Sequence, residues 1–457
     1  MKRLLEGRPL LVALFAITLP LVTPAIRGAD EIEYFSYLRS LVMDRDLEFG
    51  NEYRHFYDGD PEGLAGFKAT FLDRREPATG RHINFAPMGT AVLWAPFYLA
   101  THAGVHVARA LGASVEADGF SRPYLAAACY ASALYGFLGL LLAHDALRRF
   151  GGVAEPAASW SVAALWLGTP VLYYMTLAPG FSHASSMFAV CLMLWLWLRV
   201  RQRPDDTDED WLKIGLVGGL AGLVREQDAL FLAAPVLDLL GRAFKRGAFR
   251  ASVARGLMLG AAAALVFAPQ LLAYRVLNGR FAPSTLVARK MTYTSPHFLE
   301  VLVDPGHGLF AWAPLLLLAT VGLALLVLRR RDAASSLLLF TVLLQVWVNG
   351  SLESWTQAGA FGSRRFVSAT PVFAWGLATL LVAALPRLRR GATAFVLALF
   401  VWWNVSLMVQ FGLALMDRQG LEWPKVARNQ VVEVPKRLGR VLLLFFTDRE
   451  RLLRGGA

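Results

Sequence analysis

The sequence LLVALFAITLPLVTPAI at residues 10–26 is followed directly by RGADEIEYF at residues 27–35. An apolar run of this length behind a basic N-terminus is long enough to cross a bilayer as a helix. Asp30 and Glu31 would then lie at the far membrane surface. Two interpretations stay open. The carboxylates carry out chemistry at that surface, or they cap the next helix, because acids are common in a first helical turn.

The composition of the whole chain is also that of a membrane protein. Apolar residues make up 56% of the 457 residues, in long runs that short basic loops separate. This pattern predicts an all-α polytopic membrane protein. The net charge of +12 does not indicate nucleic-acid binding, because the Lys and Arg residues are spread over these loops and form no single stripe.

The apolar segment at residues 87–111 decides on which side every later loop lies. If it is a juxtamembrane helix, the basic clusters of the later loops fall on the side of the N-terminus, as the positive-inside rule requires. Residues 211–242 must then form two short helices broken near Arg225. In the alternative, residues 87–111 span the membrane. Two basic clusters then lie on the side opposite the N-terminus, and four polar residues are buried at mid-membrane. The expected transmembrane helices, about eleven in number, lie at residues 10–26, 123–147, 157–176, 182–200, 211–224, 228–241, 254–276, 309–328, 333–350, 366–385 and 391–416.

The expected helices divide the chain into a transmembrane domain at residues 1–416 and a tail at residues 417–457. The polar segment at residues 27–86 becomes a long first outer loop that folds down on the membrane. The tail lies on the same outer side, where its apolar piece at residues 438–446 is too short to cross and rests in the interface. Nearly all polar residues that an ordinary connecting loop does not explain fall in the outer loops. This distribution predicts an active site on the outer face.

Two Asp-x-Asp triplets in the first outer loop, Asp44–Asp46 and Asp58–Asp60, are of the kind that binds metal in nucleotide-sugar enzymes. Those enzymes have a soluble α/β domain, and the alternating strand and helix pattern of such a domain does not occur here. We therefore expect both triplets to form turns.

Five outer motifs together resemble one family. Asp30 and Glu31 with Tyr34 resemble the acidic motif in the first outer loop of the GT-C superfamily of membrane glycosyltransferases, which use polyprenyl-phosphate sugars. The other motifs resemble bacterial protein-mannosyltransferase-like members: NFAPMG at 84–89 with APFY at 95–98, GLVREQ at 222–227, DPGHGLF at 304–310 with Ala313-Pro314, and Trp355 with GAFGSRR at 359–365. Each motif is short, and the order in which they occur is the specific part of the resemblance. The resemblance covers residues 1 to about 416.

The resemblance implies a GT-C-like bundle in a bacterial inner membrane and an active site that faces the periplasm. It implies transfer of a hexose or pentose, with inversion, from a polyprenyl phosphate to a glycan, lipid or protein acceptor of the cell envelope. Asp30 is implied as the catalytic base. The implied substrate-binding residues are Glu31, Tyr34, Arg81, His82, His183, Arg225, Trp355, Arg364 and Arg365.

The three arginines Arg225, Arg364 and Arg365 suit a phosphate, because a guanidinium matches phosphate oxygens with paired hydrogen bonds. Each also has a structural interpretation. Arg364 or Arg365 could anchor a helix at the interface, and Arg225 could pair with Glu226 or Asp228. Helix-end packing for the histidines and an interfacial aromatic belt for Trp355 also stay open.

The second outer loop departs from the family. Ser182-His183 stands where the arabinose and mannose transferases carry an acid. No set of metal ligands is predicted, and both a divalent metal cofactor and the acceptor class stay open. The alternative function is a transporter or flippase of a lipid-linked saccharide, since broken helices and outer arginines also suit transport. A catalytically silent scaffold is a third possibility.

The predicted sides can be tested by cysteine labelling in spheroplasts. Single cysteines placed near Asp60 and Gly279 should react with a membrane-impermeant maleimide, and cysteines near Gly151 and Thr207 should react only after lysis. Labelling near Gly151 in intact spheroplasts would mean that residues 87–111 span the membrane, and the assignment of sides would be wrong.

Overall fold

The computed structural model describes residues 6–203, 205–246, 249–288 and 290–449. The last eight residues of the predicted tail therefore lie outside the described part. Within it there are helices and loops and no β-strand; two isolated antiparallel bridges join Arg75 to His82 and Met291 to Leu352. The predicted all-α class is confirmed.

The first part of the chain contains one apolar helix, the helices of the first outer loop and the apolar helix after that loop: α1 (Gly7–Thr18), then α2 (Ala29–Arg39), α3 (Gly50–Gly59) and α4 (Ala65–Phe67), and then α5 (Gly89–Ala110). The middle part consists of α6 (Arg122–Arg149), α7 (Ala157–Leu167), α8 (Val171–Thr176), α9 (His183–Arg201), α10 (Asp208–Val224), α11 (Ala233–Arg246) and α12 (Phe249–Asn278). The last part consists of α13 (Thr285–Ala288), α14 (Glu300–Val303), α15 (Leu309–Trp312), α16 (Pro314–Arg330), α17 (Ala333–Gly350), α18 (Thr370–Ala384), α19 (Arg390–Gly412), α20 (Trp423–Arg428) and α21 (Val434–Thr447). The 3₁₀ segments are Leu19–Leu21, Glu226–Leu232, Gln357–Gly359 and Arg364–Ala369, and the π segments are Ser40–Asp44, Lys68–Leu72 and Asn429–Glu433.

Six helices of the described chain are long and apolar enough to cross a membrane: α6, α9, α12, α17, α19 and the continuous segment Arg364–Ala384 that includes α18. The segments Gly7–Leu21 and Ala157–Leu167 are apolar but shorter. The chain is thus an all-α polytopic membrane protein. Two expected spans are interrupted: residues 157–176 contain α7 and α8, and residues 309–328 break between α15 and α16.

The predicted break after α10 is present. Arg225 has an extended backbone (φ −150°, ψ 118°), and the 3₁₀ segment Glu226–Leu232 separates α10 from α11. The start of α5 packs against this break, since a Cβ added at Gly89 would lie 2.3 Å from the carbonyl carbon of Leu223. Only glycine allows that approach, and the contact fixes α5 against the end of α10.

Helix α5 lies beside the first half of α6. The Trp94 indole donates to the Ser132 hydroxyl over 2.8 Å, and eight residues later His102 Nδ1 lies 2.7 Å from the Tyr124 hydroxyl. Helix α5 thus runs back toward the start of α6, and it is not among the six helices above. This arrangement suits a juxtamembrane helix, although its place relative to the bilayer stays a prediction.

The loops predicted on the outer side contact one another. Thr79 of the first loop donates to the Leu277 carbonyl over 2.6 Å, and His307 Nε2 lies 2.6 Å from the Ala360 carbonyl oxygen. The first outer loop also has an aromatic core of its own, which includes Phe35, Tyr37, Phe49 and Tyr53. The grouping of these loops agrees with the predicted sides.

The tail returns to the same loops. The Arg449 guanidinium donates to the carbonyls of Pro20 (2.9 Å) and Val22 (2.8 Å), just after α1. Leu421 donates its N–H to the Pro305 carbonyl over 3.0 Å. Helix α21 also exposes apolar side chains, among them Leu442, Leu443 and Phe446. An interfacial position of the tail stays a prediction, which these exposed side chains favour.

Candidate active site

The two acids at the start of α2 have different environments. Glu31 is buried, and one of its carboxylate oxygens accepts hydrogen bonds of 2.7 Å from the backbone N–H groups of Arg27 and Gly28. Its other oxygen lies close to Gly180, where an added Cβ would come within 2.9 Å of it. Glu31 therefore caps α2, as the structural interpretation expected.

Asp30 does not share this capping role. Its side chain is 39% exposed, and its Oδ2 forms an ion pair of 2.9 Å with Nη1 of Arg364. The guanidinium of Arg364 also lies over the Phe181 ring, 5.0 Å from its centroid. The resemblance implies a catalytic role for Asp30 and a substrate-binding role for Glu31, and the structure gives them different environments: Glu31 is a buried cap and Asp30 faces an arginine.

Arg225 is placed by the break between α10 and α11. Its Nη1 donates to the Ser182 hydroxyl (3.2 Å) and lies 3.3 Å from Nδ1 of His183, and its Nη2 donates to Gln227 (3.3 Å). Ser182 in turn donates to the Tyr34 hydroxyl over 3.0 Å. Three of the predicted residues, Tyr34, His183 and Arg225, thus meet around Ser182.

The proposed structural ion pair of Arg225 does not form. Tyr274 donates to the Glu226 carboxylate over 2.6 Å, and the Asp228 carboxylate accepts from Ser186. Neither carboxylate is within ion-pair distance of Arg225 in the described residues. The guanidinium is therefore held by neutral groups, which leave its charge uncompensated by direct contact.

Arg365 lies beside this group on the segment that leads into α18. Its Nη2 donates to the Ser354 hydroxyl over 3.3 Å, and its backbone carbonyl accepts from Gln227 over 2.9 Å. Gln227 and Gln345 exchange two further hydrogen bonds, of 2.9 and 3.1 Å. This bonding ties the Arg225 turn to α17 and to the Arg365 segment.

The three arginines form one cationic cluster beside Asp30. Arg364 pairs with Asp30, Arg365 follows it in the chain, and Gln227 accepts from Arg225 and donates to the Arg365 carbonyl. Among the described residues, Arg225 Nε and Arg365 Nη1 are buried without a hydrogen-bond partner. Buried N–H donors are rarely left unpaired, and charged ones least of all. The cluster has the composition of an anion site.

Three predicted residues lie elsewhere. Arg81 Nη1 donates to the Leu47 carbonyl (3.3 Å) and lies 3.8 Å from the Glu48 carboxylate. His82 Nδ1 contacts the same carboxylate. These contacts belong to the packing of the first loop, and no described contact joins them to the Asp30 and Arg364 pair.

Trp355 is likewise separate from that pair. Its ring stacks on His297, with centroids 5.6 Å apart. The resemblance alone therefore places Arg81, His82 and Trp355 in a substrate site.

Several residues of the cluster were not predicted. Gln345 is a buried amide within the apolar helix α17, and a polar residue inside an apolar run is the signal that would have indicated it. Glu33 lies one helical turn after Asp30, is buried, and accepts from the Phe85 N–H. Burial raises the pKa of Glu33 well above its usual range. The i, i+3 spacing from Asp30 could have drawn attention to it.

The two Asp-x-Asp triplets form turns, as expected. Arg45, in the middle of the first, has φ 62°, and Asp46 accepts from the Ser40 hydroxyl (2.7 Å) and the Glu48 N–H (3.1 Å). Asp60 accepts from the Gly63 N–H over 3.1 Å. In the described part of the chain, three or more His, Cys, Asp or Glu residues nowhere gather in a group that could hold a metal ion.

Among known proteins, the chain resembles solved structures in its fold. No protein-family model matches the chain, and no curated protein sequence matches it. Two solved structures of an Archaeoglobus fulgidus oligosaccharyltransferase are similar at 14% identity. The apo form has a TM-score of 0.48 and matches over 92% of this chain and 55% of its own length. The form in complex with an inhibitory peptide and a dolichol-phosphate has a TM-score of 0.47 and matches over 96% and 55%. The chain thus spans about half the length of these proteins, and scores at this level do not establish a common family or function.

The buried cap predicts a pH dependence. Burial, the largest cause, raises the pKa of Glu31 from 4.5 to about 7. The folded chain therefore holds this proton more tightly than the unfolded chain, so the stabilisation is fully present below about pH 4.5 and is lost as the pH rises through about 7. At most about 3 kcal/mol is involved. The unfolding midpoint of the detergent-solubilised protein should fall between pH 5 and 8, and Glu31→Gln should flatten this fall.

The matched control is Glu209→Gln, which removes an exposed carboxylate at the start of α10. It should leave the slope of the wild type unchanged. An unchanged slope in Glu31→Gln would mean that Glu31 is already ionised throughout this range.

Proposed function

We propose that the chain is a membrane glycosyltransferase of the GT-C type. It transfers a single sugar from a polyprenyl phosphate to an acceptor on the outer face, the periplasmic face of a bacterial inner membrane, with inversion. The observation that carries the proposal is the cluster of three arginines beside Asp30, which contains two buried N–H groups without a partner. The order of the sequence motifs supports it independently.

The cluster suits a phosphate for two reasons. An anion bound between Arg225 and Arg365 would satisfy the unpaired N–H groups at Nε and Nη1, which otherwise cost free energy in a buried place. Arginine also keeps its charge where little water is present. Developing charge on a leaving phosphate is stabilised most by donors that are already in position.

The donor is proposed to be a sugar linked through a single phosphate. This choice rests on the sequence motifs, which resemble those of members that use polyprenyl-phosphate sugars.

Asp30 is the group that accepts the acceptor proton. It is partly exposed, and its carboxylate takes no part in capping α2. As the acceptor hydroxyl oxygen bonds to the anomeric carbon, its proton passes to Asp30. The bond from that carbon to the phosphate oxygen breaks, and the phosphate leaves with the electron pair.

The ion pair with Arg364 links the two halves of this reaction. A donor phosphate that draws Arg364 toward itself would weaken the pair and leave the Asp30 carboxylate free to take a proton. Glu31 is then a positioning residue, since its cap holds the turn that presents Asp30. Tyr34 positions Arg225 through Ser182, and His183 contacts Arg225 directly.

The proposal predicts the effect of changes at Arg225. Arg225→Ala should raise the Kd for a labelled polyprenyl-phosphate sugar by about tenfold to a hundredfold, the usual range for hydrogen bonds to charged groups. Arg225→Lys should recover only part of the affinity, because lysine keeps the charge and loses the paired geometry. The measurement is equilibrium binding to the purified protein in detergent.

Arg280→Ala is the control, because it removes an exposed arginine from the loop after α12. It should bind the donor like the wild type. If Arg225→Ala elutes as a folded monodisperse protein and binds the donor with unchanged Kd, the cluster does not hold the donor phosphate. A wild type that binds the donor but never consumes it, in any envelope extract, would favour the transporter.

A further inference from the structure

The end of the bundle opposite the candidate site contains a cavity. Helix α9 begins at His183 in the candidate site and ends at Arg201, about 27 Å away at the helical rise per residue. A cavity of about 170 Å³ opens there, and Arg201, Arg330 and Asp332 are among its lining residues. Since one ordered water takes up roughly 30 Å³, this space holds a group several times larger than water.

The lining of the cavity is partly apolar and partly polar, and its polar part includes two arginines. Leu198, Leu326 and Leu338 line the cavity together with Trp375. Four of the helices that are long and apolar enough to cross a membrane end or pass here: α6, α9, α17 and the segment that includes α18. The cavity therefore lies near one end of these helices, and the ends of membrane-crossing helices are where phospholipid headgroups are met.

The positive charge of the two arginines is only partly compensated. Arg201 forms an ion pair with Asp238. The Arg330 guanidinium donates to the Gly151 carbonyl over 2.7 Å and lies over Trp375, and it pairs with no carboxylate in the described residues. The Asp332 carboxylate, which also lines the cavity, offsets part of this charge, and its Oδ1 accepts hydrogen bonds of 2.8 and 2.9 Å from the N–H and hydroxyl of Ser335.

We propose that this cavity binds the phosphate of an anionic phospholipid headgroup. The phosphate would accept hydrogen bonds from Arg330 and Arg201, and the start of an acyl chain would lie against the leucines. Basic pockets between transmembrane helices commonly take anionic lipid headgroups. A free phosphate ion offers the same oxygens but gains nothing from the apolar part of the lining, so the observations favour the lipid. This site is independent of the proposed donor site.

Native mass spectrometry of the full chain in detergent tests the proposal, with phosphatidylglycerol and phosphatidylcholine as the added lipids. The wild type should retain phosphatidylglycerol in preference to phosphatidylcholine. Arg330→Gln should weaken phosphatidylglycerol binding at least about tenfold, because it removes a charged donor. Arg329→Gln removes the neighbouring exposed arginine, which does not line the cavity, and should bind like the wild type.

Ala334→Leu is the second variant, because it fills part of the cavity and keeps every charge. It should also lose phosphatidylglycerol, and it decides the matter if Arg330→Gln does not fold. Equal loss in Arg329→Gln, or full binding in Ala334→Leu, would overturn the proposal. Displacement of phosphatidylglycerol by millimolar inorganic phosphate through Arg330 would also overturn it, since the ligand would then be a soluble anion.

Discussion

The ion pair between Asp30 and Arg364 joins two segments that are far apart in the sequence. Asp30 follows the first apolar helix, and Arg364 precedes α18, so the chain between them must return to the end of the bundle where it started. At a membrane surface such a pair is stronger than in water, because less solvent screens it. The pair also determines the local chemistry. The Asp30 carboxylate faces the cationic cluster and is held by Arg364, the cation for which a bound phosphate would compete.

The surrounding structure holds these charges in place. Gln227 and Gln345 connect the Arg225 turn to α17, and Gln227 also bonds the Arg365 backbone. Below them, α16 and α18 approach so closely that a Cβ at Gly376 would lie 1.8 Å from the Ala319 carbonyl oxygen. Small residues of this kind let helices pack directly inside a membrane. Arginines brought together against their mutual repulsion need this rigid support.

Much of the fold followed from apolar length alone. The helices lie where the long apolar runs are, and the break at Arg225 was predictable because a polar group of four residues interrupts such a run. The interruption between α7 and α8 was not predicted, since Leu167 to Val171 contains no charge to indicate it. The tail contact of Arg449 with the end of α1 depends on tertiary packing, which the sequence pattern does not contain.

The candidate site was predicted in part for the same reason. Asp30, Arg225, Arg364 and Arg365 are charges next to apolar segments, and such charges need a partner or a purpose. The difference between Asp30 and Glu31 could not be read from two adjacent acids, because it depends on the approach of Gly180. The cavity at the opposite end of the bundle was not predicted, because its arginines have the sequence pattern of ordinary topogenic residues.

The central claim is that Asp30 takes the acceptor proton in a sugar transfer from lipid phosphate. The most direct measurement follows the loss of a radiolabelled polyprenyl-phosphate sugar incubated with purified wild type or Asp30→Asn. Asparagine keeps the size of the side chain and cannot take up the proton, so donor binding should persist while the rate falls by about 10² to 10⁴. An Asp30→Asn protein that folds, binds the donor and consumes it at the wild-type rate would contradict the account.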